Sequence, residues 1–167
     1  MNISILGAGS WASSLADILT DNQHNVLLWH YKKNTKNNPN ITYNLEDIQK
    51  RKVIFIALPS HAISNVLEEI NLQPETLIVI CSKGFDPQTK CRLSLLVEKK
   101  LPLKKNNIII LSGPSHAEEV SRKVPTAVVA ASSSLKNAEY IQNIISNHYF
   151  RVYTSTDVIG IEIASAT

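Results

Sequence analysis

Short runs rich in isoleucine, valine and leucine alternate along the chain with segments of helical periodicity. The apolar runs are continuous rather than alternating, which is typical of strands buried on both faces of a sheet. The pattern predicts strands at residues 2–6, 25–29, 53–58, 76–81, 108–111, 126–131 and 149–153. It predicts helices at residues 10–20, 45–49, 61–70, about 90–100, 115–121 and 135–146.

This alternation, with short connections, predicts an α/β fold in which helices cover both faces of a mostly parallel sheet. The strands after residue 126 are expected to extend the sheet at its C-terminal end. A length of 167 residues allows one domain, covering 1–167. Open sheets of this kind bind ligands beyond the carboxyl ends of their strands, so the segments that follow the strands are the places to look for chemistry.

The segment after the first strand reads Gly7-Ala8-Gly9-Ser10-Trp11-Ala12 and fits the GxGxxG/A pattern of dinucleotide sites. Gly7 permits a tight turn, Gly9 lets the backbone approach a pyrophosphate, and Ala12 allows close packing of helix on strand. The free N–H groups at the start of the helix then face the anion. A glycine turn of purely structural purpose is the alternative.

The end of the second strand bears on the choice of cofactor. A site for NAD usually places Asp or Glu there, but this chain reads Trp29-His30-Tyr31-Lys32-Lys33. Lys32 or Lys33 could pair with a 2′-phosphate, which favours NADP(H) and leaves NAD(H) open. Two solvated loop lysines are the alternative interpretation.

Three further strand ends carry polar residues. After the third strand, Ser60 is interpreted as a helix cap and His61 as a partly exposed residue of the first helical turn. After the next strand, Lys83 could place its charge in the crevice or simply lie in a surface turn, while Cys81 is interpreted as a packing residue. Farther along, Ser115 and Glu118 fit a capping box behind Pro114, and the same turn aims the Ser115 hydroxyl at the strand ends.

Composition narrows the classes of partner. The 17 Lys and Arg against 14 Asp and Glu give a net charge of +3, which is too weak to indicate nucleic acid. Cys81 and Cys91 lack the spacing of a zinc site, so no metal is expected and a reduced cytoplasmic protein is the plain interpretation. No apolar run reaches the roughly 20 residues of a membrane span, so no membrane insertion is expected.

Taken in order, the motifs resemble those of bacterial NAD(P)-dependent glycerol-3-phosphate dehydrogenases. The segments that carry the resemblance are Gly7-Ala8-Gly9-Ser10-Trp11, Leu58-Pro59-Ser60-His61, Ser82-Lys83-Gly84-Phe85, Ser112-Gly113-Pro114-Ser115-His116-Ala117-Glu118-Glu119-Val120, Pro125-Thr126-Ala127 and Phe150-Arg151-Val152-Tyr153. The resemblance implies a Rossmann-type cofactor domain and hydride transfer between NAD(P)H and dihydroxyacetone phosphate, giving sn-glycerol 3-phosphate for phospholipid synthesis. It implies cofactor contacts at Ser10, Trp11, Tyr31, Lys83 and Ala117, and substrate contacts at Lys83, Gly113 and Ser115.

The chain also departs from that family. Ala12 stands where a glycine is usual, and the segment between Trp29 and Val53 looks shorter than in relatives. The last residues resemble the start of the helix that bears the family's catalytic lysine, which would follow Thr167. The helical substrate domain that the resemblance implies also lies beyond Thr167, so the expectation for these 167 residues alone is cofactor binding with little turnover.

Two other functions remain open at this stage. A non-catalytic nucleotide-binding module could form a homodimer through apolar residues near the C-terminus, namely Val158, Ile159, Ile161 and Ile163. A related two-domain reductase, of the β-hydroxyacid or ketopantoate type, is the other alternative. The segments around Lys83 and Gly113 fit the glycerophosphate family better.

Overall fold

The computed structural model describes residues 1–33 and 38–166 and is built around one eight-stranded sheet. The strands are β1 (Asn2–Leu6), β2 (Asn25–Trp29), β3 (Ile41–Thr42), β4 (Val53–Ile56), β5 (Leu77–Ile80), β6 (Ile108–Ser112), β7 (Thr126–Ala131) and β8 (Phe150–Ser155). The helices are α1 (Ser10–Asp21), α2 (Leu45–Gln49), α3 (Ser60–Glu69), α4 (Leu93–Lys100), α5 (Ala117–Ser121), α6 (Leu135–Ile145) and α7 (Val158–Ala166). A 3₁₀ turn at Lys105–Asn107 precedes β6.

The strand order across the sheet is β3-β2-β1-β4-β5-β6-β7-β8. Neighbouring strands are parallel except β6 and β7, which are antiparallel, while β8 is again parallel to β7. The registers at the centre pair Leu6 with Trp29 on one side and with Ile56 on the other. The predicted α/β class is therefore confirmed, with β7 and β8 as the additional strands at the C-terminal end.

Helices cover both faces of the sheet, and each face has its own hydrophobic layer. On one face, α1 and α6 pack on the sheet through the buried residues Leu15, Ile18, Leu19, Ile141, Ile144 and Ile145. On the other, α3 and α4 pack through Ile63, Leu67, Leu93, Leu96 and Val97. Both sides of the central strands are thus buried, which accounts for their continuous apolar sequence.

Most element boundaries agree with the sequence pattern, and the exceptions have local causes. β4 ends at Ile56, and α3 begins at Ser60 with Pro59 in the capping position, so the predicted role of Ser60 as a helix cap is wrong. α4 begins only at Leu93 because Lys90 adopts a positive φ of 58° and Arg92 pairs with Phe85. The pattern missed β3, whose two residues are too few to show a period.

Candidate functional site

The segments singled out from the sequence meet at one edge of the sheet. The strands β2, β1, β4, β5 and β6 lie side by side and run parallel, so their carboxyl ends share that edge. Tyr31 follows β2, Gly7 follows β1, His61 follows β4, Lys83 follows β5 and Gly113 follows β6. The strand order reverses at β1, with β2 on one side and β4 on the other. The crevice between β1 and β4 is therefore the place where open α/β sheets bind ligands.

Gly7 makes the tight turn out of β1, as its position in the motif predicts. Its φ is +128°, and a Cβ placed there would lie 2.5 Å from the carbonyl oxygen of Ala57. Both the backbone conformation and the contact therefore require glycine. The turn is held from the other side as well, because the Gly7 N–H donates to the carbonyl of Trp29 over 3.0 Å.

Gly9 and Ala12 flank the start of α1 in different ways. Gly9 is the N-cap residue of α1, is exposed, and has no atom within 4 Å of the position that a Cβ would take. Ala12 is fully buried, and its Cβ lies 3.6 Å from the Cβ position of Gly7. The first-turn amides of a helix have no intrahelical acceptor, so this open helix start can bind an anion.

A cleft of about 530 Å³ opens beside this turn. The walls of the cleft are formed by the residues after β1, the end of β2 and the residues that follow it, and the first turns of α3 with the residues before them. Its lining residues are Gly7, Ala8, Gly9, Trp29, His30, Tyr31, Ala57, Leu58, Pro59, His61, Ala62 and Val66. None of these described lining residues is Asp or Glu, so no carboxylate among them would repel a phosphate group bound in the cleft.

Aromatic rings form the wall at the end of β2. The rings of His30 and Tyr31 stack with centroids 5.0 Å apart and planes at 19°, and Tyr43 meets His30 edge-on at 6.5 Å. Tyr31 is 76% exposed, so its outer face is free to contact a planar ligand. Lys32 and Lys33 follow it and are both exposed.

A buried hydroxyl brings two of the predicted cofactor residues together. The Ser14 side chain, 3% exposed, lies 3.0 Å from the carbonyl oxygen of Ser10 and 3.0 Å from that of Ala117. It thereby ties the first turn of α1 to the start of α5. Trp11, in the same turn, is partly buried against the core. The sequence motif did not single out Ser14, because a small polar residue in a helix is not by itself a signal.

Lys83 lies in an exposed turn that is anchored on β4. The hydroxyl of the preceding Ser82 accepts a hydrogen bond from the Leu58 N–H at 3.1 Å and lies 3.3 Å from the Ile56 carbonyl. Gly84 follows with a φ of +95°, and its Cβ position would lie 3.9 Å from the Ser60 hydroxyl. The turn therefore brings the lysine to the same edge as the segment after β4.

Gly113 is required by packing against β7. A Cβ at this position would lie 2.8 Å from Cα of Val128 and 2.9 Å from the carbonyl oxygen of Ala127. Because β7 is antiparallel to β6, the beginning of β7 is at the same edge as the end of β6. The glycine thus lets the residue after β6 lie close to the backbone of β7 at the edge where the site lies.

Ser115 does not form the predicted capping box with Glu118. α5 begins at Ala117, its N-cap residue is His116, and no side chain caps it. The Ser115 hydroxyl donates instead to the Gly113 carbonyl at 3.2 Å, because the chain has not yet entered the helix. The side chain is half-buried at the carboxyl edge, next to Gly113.

Two other residues behave as the sequence indicates. His61 lies exposed in the first turn of α3. Cys81 is buried in the core, and burial raises the pKa of its thiol well above the ordinary value. The interpretation of Cys81 as a packing residue is confirmed.

The sequence reasoning missed Glu162 and Arg92. α7 runs against β6 and carries Glu162, which is only 4% exposed and pairs with Arg92 at 3.1 Å. The one available signal was a single acid within an otherwise uncharged helix. The apolar residues of α7 differ in exposure. Ile159 and Ile163 are 52% and 43% exposed, whereas Val158 and Ile161 are partly buried against the core.

The rest of the described chain offers no rival site of clear chemistry. A larger cavity of about 760 Å³ lies at the opposite edge, where Lys52, Lys104 and Lys136 are mixed with Glu75 and Glu139. Residues 1–33 and 38–166 contain no group of three His, Cys, Asp or Glu that could hold a metal. None of the helices described is both long enough and apolar enough to cross a bilayer.

Comparison with known proteins agrees with this arrangement. The curated glycerol-3-phosphate dehydrogenase (NAD(P)+) of Macrococcus caseolyticus is 36% identical over 189 residues, covering 99% of this chain and 57% of that protein. The Bacillus subtilis protein of the same name is 37% identical, covering 98% of this chain and 54% of its own length. The chain thus spans about half the length of the curated relatives it matches. A crystal structure of glycerol-3-phosphate dehydrogenase from Coxiella burnetii superposes with a TM-score of 0.87 at 27% identity, over 98% of this chain and 56% of that one.

A family model covers most of the chain in two overlapping parts. It matches residues 2–47 and 39–138, and its description is NAD-dependent glycerol-3-phosphate dehydrogenase N-terminus. An alignment of 189 positions with a chain of 167 shows that the Macrococcus caseolyticus protein carries additional residues within the aligned region. On these matches, the chain belongs to the family of NAD-dependent glycerol-3-phosphate dehydrogenase N-terminal domains.

Proposed function

We propose that residues 1–167 form the dinucleotide-binding domain of a glycerol-3-phosphate dehydrogenase. The observation that carries the proposal is the Gly7 turn, which opens the start of α1 onto a cleft at the point where the strand order reverses. The exposed Gly9 and the absence of carboxylates among the described lining residues suit a pyrophosphate. The cofactor would supply the hydride.

Residue roles follow from position at the edge. Gly9, Ser10 and Trp11 would contact the pyrophosphate at the start of α1, while Gly7 makes the turn that exposes it and the buried Ala12 lets the helix pack close to that turn. Tyr31 would contact the adenosine half, because its exposed ring forms the far wall of the cleft. Ala117 would contact the cofactor from α5, since the Ser14 hydroxyl holds it beside Ser10.

The substrate side is assigned to the ends of β5 and β6. Lys83 would contact both cofactor and substrate, and its charge suits a phosphate or a carbonyl oxygen that gains negative charge. Gly113 and Ser115 would line the substrate position. The proposed reaction is transfer of a hydride from the reduced nicotinamide to the carbonyl carbon of dihydroxyacetone phosphate. A general acid would deliver a proton to the oxygen, and the product would be sn-glycerol 3-phosphate, a phospholipid precursor.

We also favour NADP(H) over NAD(H). The end of β2 has no acid to accept hydrogen bonds from a ribose 2′-hydroxyl, and it carries the exposed Lys32 and Lys33. A reducing compartment such as the cytoplasm suits Cys81 and Cys91, which are both free thiols.

Titration with NADPH tests cofactor binding directly. The fluorescence of the nicotinamide should rise and shift to shorter wavelength as the chain is added, and NADH should bind more weakly. No binding at millimolar NADPH would overturn the proposal.

A pair of variants at Gly9 makes the test specific to the site. Gly9→Asp and Gly9→Asn both add a good N-cap to α1 in open space, so both should fold. Only Asp adds a negative charge where the pyrophosphate would lie. The Asp variant should therefore bind NADPH at least about tenfold more weakly than the Asn variant, and equal affinities would contradict this placement of the cofactor.

A second candidate function is a dimerising module, and exposed Ile159 and Ile163 on α7 favour it. Light scattering across a range of concentrations distinguishes the two states of assembly. A monomer at all concentrations would rule out this alternative.

A further inference from the structure

Glu162 is the only charged residue of α7 and is almost completely buried. Its side chain is only 6% exposed. The rest of the helix is uncharged and reads Val-Ile-Gly-Ile before Glu162 and Ile-Ala-Ser-Ala after it. A carboxylate is costly to bury unless it is paired and hydrogen-bonded. Its partners therefore indicate what it holds.

The Glu162 carboxylate bonds to Arg92 and Ser94, which lie at the start of α4. Oε1 accepts the Ser94 backbone N–H at 2.8 Å, while Oε2 accepts the Ser94 hydroxyl at 2.5 Å and the Arg92 guanidinium at 3.1 Å. Arg92, the N-cap residue of α4, makes no side-chain capping bond of its own. Glu162 thus caps α4 from another helix, with the negative charge at the positive end of the helix dipole.

The start of α4 is joined in turn to the segment that carries Lys83. Arg92 forms an isolated antiparallel bridge with Phe85, two residues after Lys83. Next to it, the Asp86 N–H donates to the Cys91 carbonyl at 3.0 Å. The Asp86 carboxylate accepts the Thr89 hydroxyl at 2.6 Å and the Thr89 N–H at 2.8 Å.

These contacts give the Lys83 turn two anchors. On the N-terminal side, Ser82 is hydrogen-bonded to the backbone of β4. On the C-terminal side, the Phe85–Arg92 bridge leads to the start of α4, which Glu162 fixes. Lys83 itself is exposed between the two anchors.

We propose that Glu162 is a positioning residue. It fixes the start of α4 and thereby, through the Arg92–Phe85 bridge, the position of Lys83 at the carboxyl edge of the sheet, where the cofactor would bind. α7 and the Lys83 turn then behave as one unit. The functional part of the inference rests on the role proposed above for Lys83, whereas the structural coupling does not.

Glu162→Gln is the central variant because it preserves shape and removes the charge. Its amide oxygen can still accept one hydrogen bond, but the variant loses the charged contacts to Arg92 and Ser94. Ser94→Ala is a second variant that removes the hydroxyl, which donates to Glu162 and accepts from the Arg92 guanidinium, and preserves the capped N–H. Glu139→Gln, an exposed position on α6, is the matched control for the loss of one acid.

The coupling is measured on the chain without cofactor. In ¹⁵N NMR spectra, Glu162→Gln should shift the amide signals of Lys83 and Gly84 and accelerate hydrogen exchange at Asp86. The amides of Gly7 and Gly9 should stay in place, since they belong to the other side of the cleft. Ser94→Ala should give smaller changes in the same residues, and Glu139→Gln should give none.

The functional consequence is measured by NADPH titration of the same samples. Glu162→Gln should raise the dissociation constant about five- to tenfold, as expected when a charged contact to an anion is weakened. A Lys83→Gln variant should lower the affinity by a similar factor, and adding Glu162→Gln to it should have little further effect.

Unchanged signals at Lys83 and Gly84 in Glu162→Gln would overturn the coupling. Shifted signals with unchanged NADPH affinity would overturn the positioning role. If no chain binds NADPH while the signals still shift, the proposed function fails and the structural coupling stands. A uniform shift throughout the spectrum would show a general structural role and would also overturn the inference.

Discussion

At the glycine turn, the absence of a side chain lets the residue after β1 pack against the residue after β4. The motif predicts that Gly7 turns tightly, and the structure adds the reason: the Ala57 carbonyl occupies the space of a Cβ. Gly113 differs. The resemblance assigns it to substrate, while the structure shows that β7 leaves no room for a side chain there. This requirement comes from contact with another strand, so the local sequence pattern around Gly113 cannot indicate it.

Gly7→Ala should destabilise the fold by at least about 2 kcal/mol, because alanine is strained at this positive φ and also collides with backbone. Urea unfolding measures the loss as a lower midpoint with an unchanged slope. Gly9→Asn is the matched control in the same turn. Its side chain enters open space at an N-cap, so the free energy of unfolding should stay within about 0.5 kcal/mol or rise. Equal effects of the two variants would contradict the assigned geometry.

Asp21 predicts a dependence of stability on pH. Its carboxylate pairs with Lys123 at 2.8 Å and accepts the Tyr149 hydroxyl at 2.7 Å, and these contacts hold its pKa below the ordinary value. Since the pKa is lower in the folded state, the stabilisation is present above the unfolded pKa of about 4 and is lost as the pH falls through the folded pKa.

Comparison with Asp21→Asn isolates this contribution. The difference in free energy of unfolding between the two proteins should be constant from pH 5 to 7 and should shrink below about pH 4. Urea unfolding across that range measures it. A difference that stays constant down to pH 2 would show that the carboxylate contributes nothing through its charge.

Among the elements, the long ones and the five-residue α2 could be predicted from sequence, whereas β3 and the start of α5 could not. α1 and α6 follow their helical periodicity to within one residue, and the central strands follow their apolar runs to within two residues at each end. β3 has two residues, and α5 begins at Ala117 rather than behind Pro114, since Ser115 bonds back to Gly113. In such short elements, contacts with the rest of the fold outweigh local propensity. The pairing of α7 with α4 through Glu162 also joins residues far apart in sequence, so no local pattern shows it.

The link between α1 and α5 is predicted to matter for both stability and binding. Ser14→Ala removes the hydroxyl that bonds to the carbonyls of Ser10 and Ala117, and should cost about 1 kcal/mol of folding free energy. It should also weaken NADPH binding a few-fold, because Ala117 is no longer held beside Ser10. Ser13→Ala, on the exposed side of the same helix, is the control and should change neither quantity. Urea unfolding and fluorescence titration measure the two effects, and equal behaviour of the variants would contradict the assigned role.

For the whole molecule, the order and direction of the strands determine which residues lie at the carboxyl edge of the sheet. The alternation of strands and helices correctly predicts a mostly parallel sheet, and parallel strands place their carboxyl ends at the same edge. The alternation does not reveal that β7 reverses direction while β8 is parallel to β7. That reversal brings the start of β7 to the carboxyl edge and leads α7 back onto β6. The segments that carry the predicted cofactor residues therefore lie at one edge of the sheet, whereas the contribution of the C-terminal elements required the structure.

The same topology separates two lysine pairs that look alike in sequence. Lys32 and Lys33 follow β2 at the carboxyl edge, whereas Lys104 and Lys105 precede β6 at the opposite edge. Replacing Lys32 and Lys33 by Gln should weaken NADPH binding about tenfold and leave NADH binding nearly unchanged, because only NADPH carries the 2′-phosphate. Replacing Lys104 and Lys105 by Gln makes the same change in net charge and should affect neither cofactor.

The dependence of NADPH affinity on salt concentration distinguishes a direct contact of Lys32 and Lys33 with the 2′-phosphate from a general attraction by the net positive charge of the protein. If Lys32 and Lys33 bind the 2′-phosphate, raising the ionic strength should reduce the preference for NADPH in the unsubstituted chain far more than in the variant. Fluorescence titrations with both cofactors at low and high salt measure this preference. Equal losses of NADPH affinity from the two lysine pairs would show that net charge alone matters, and would contradict a 2′-phosphate site at the end of β2.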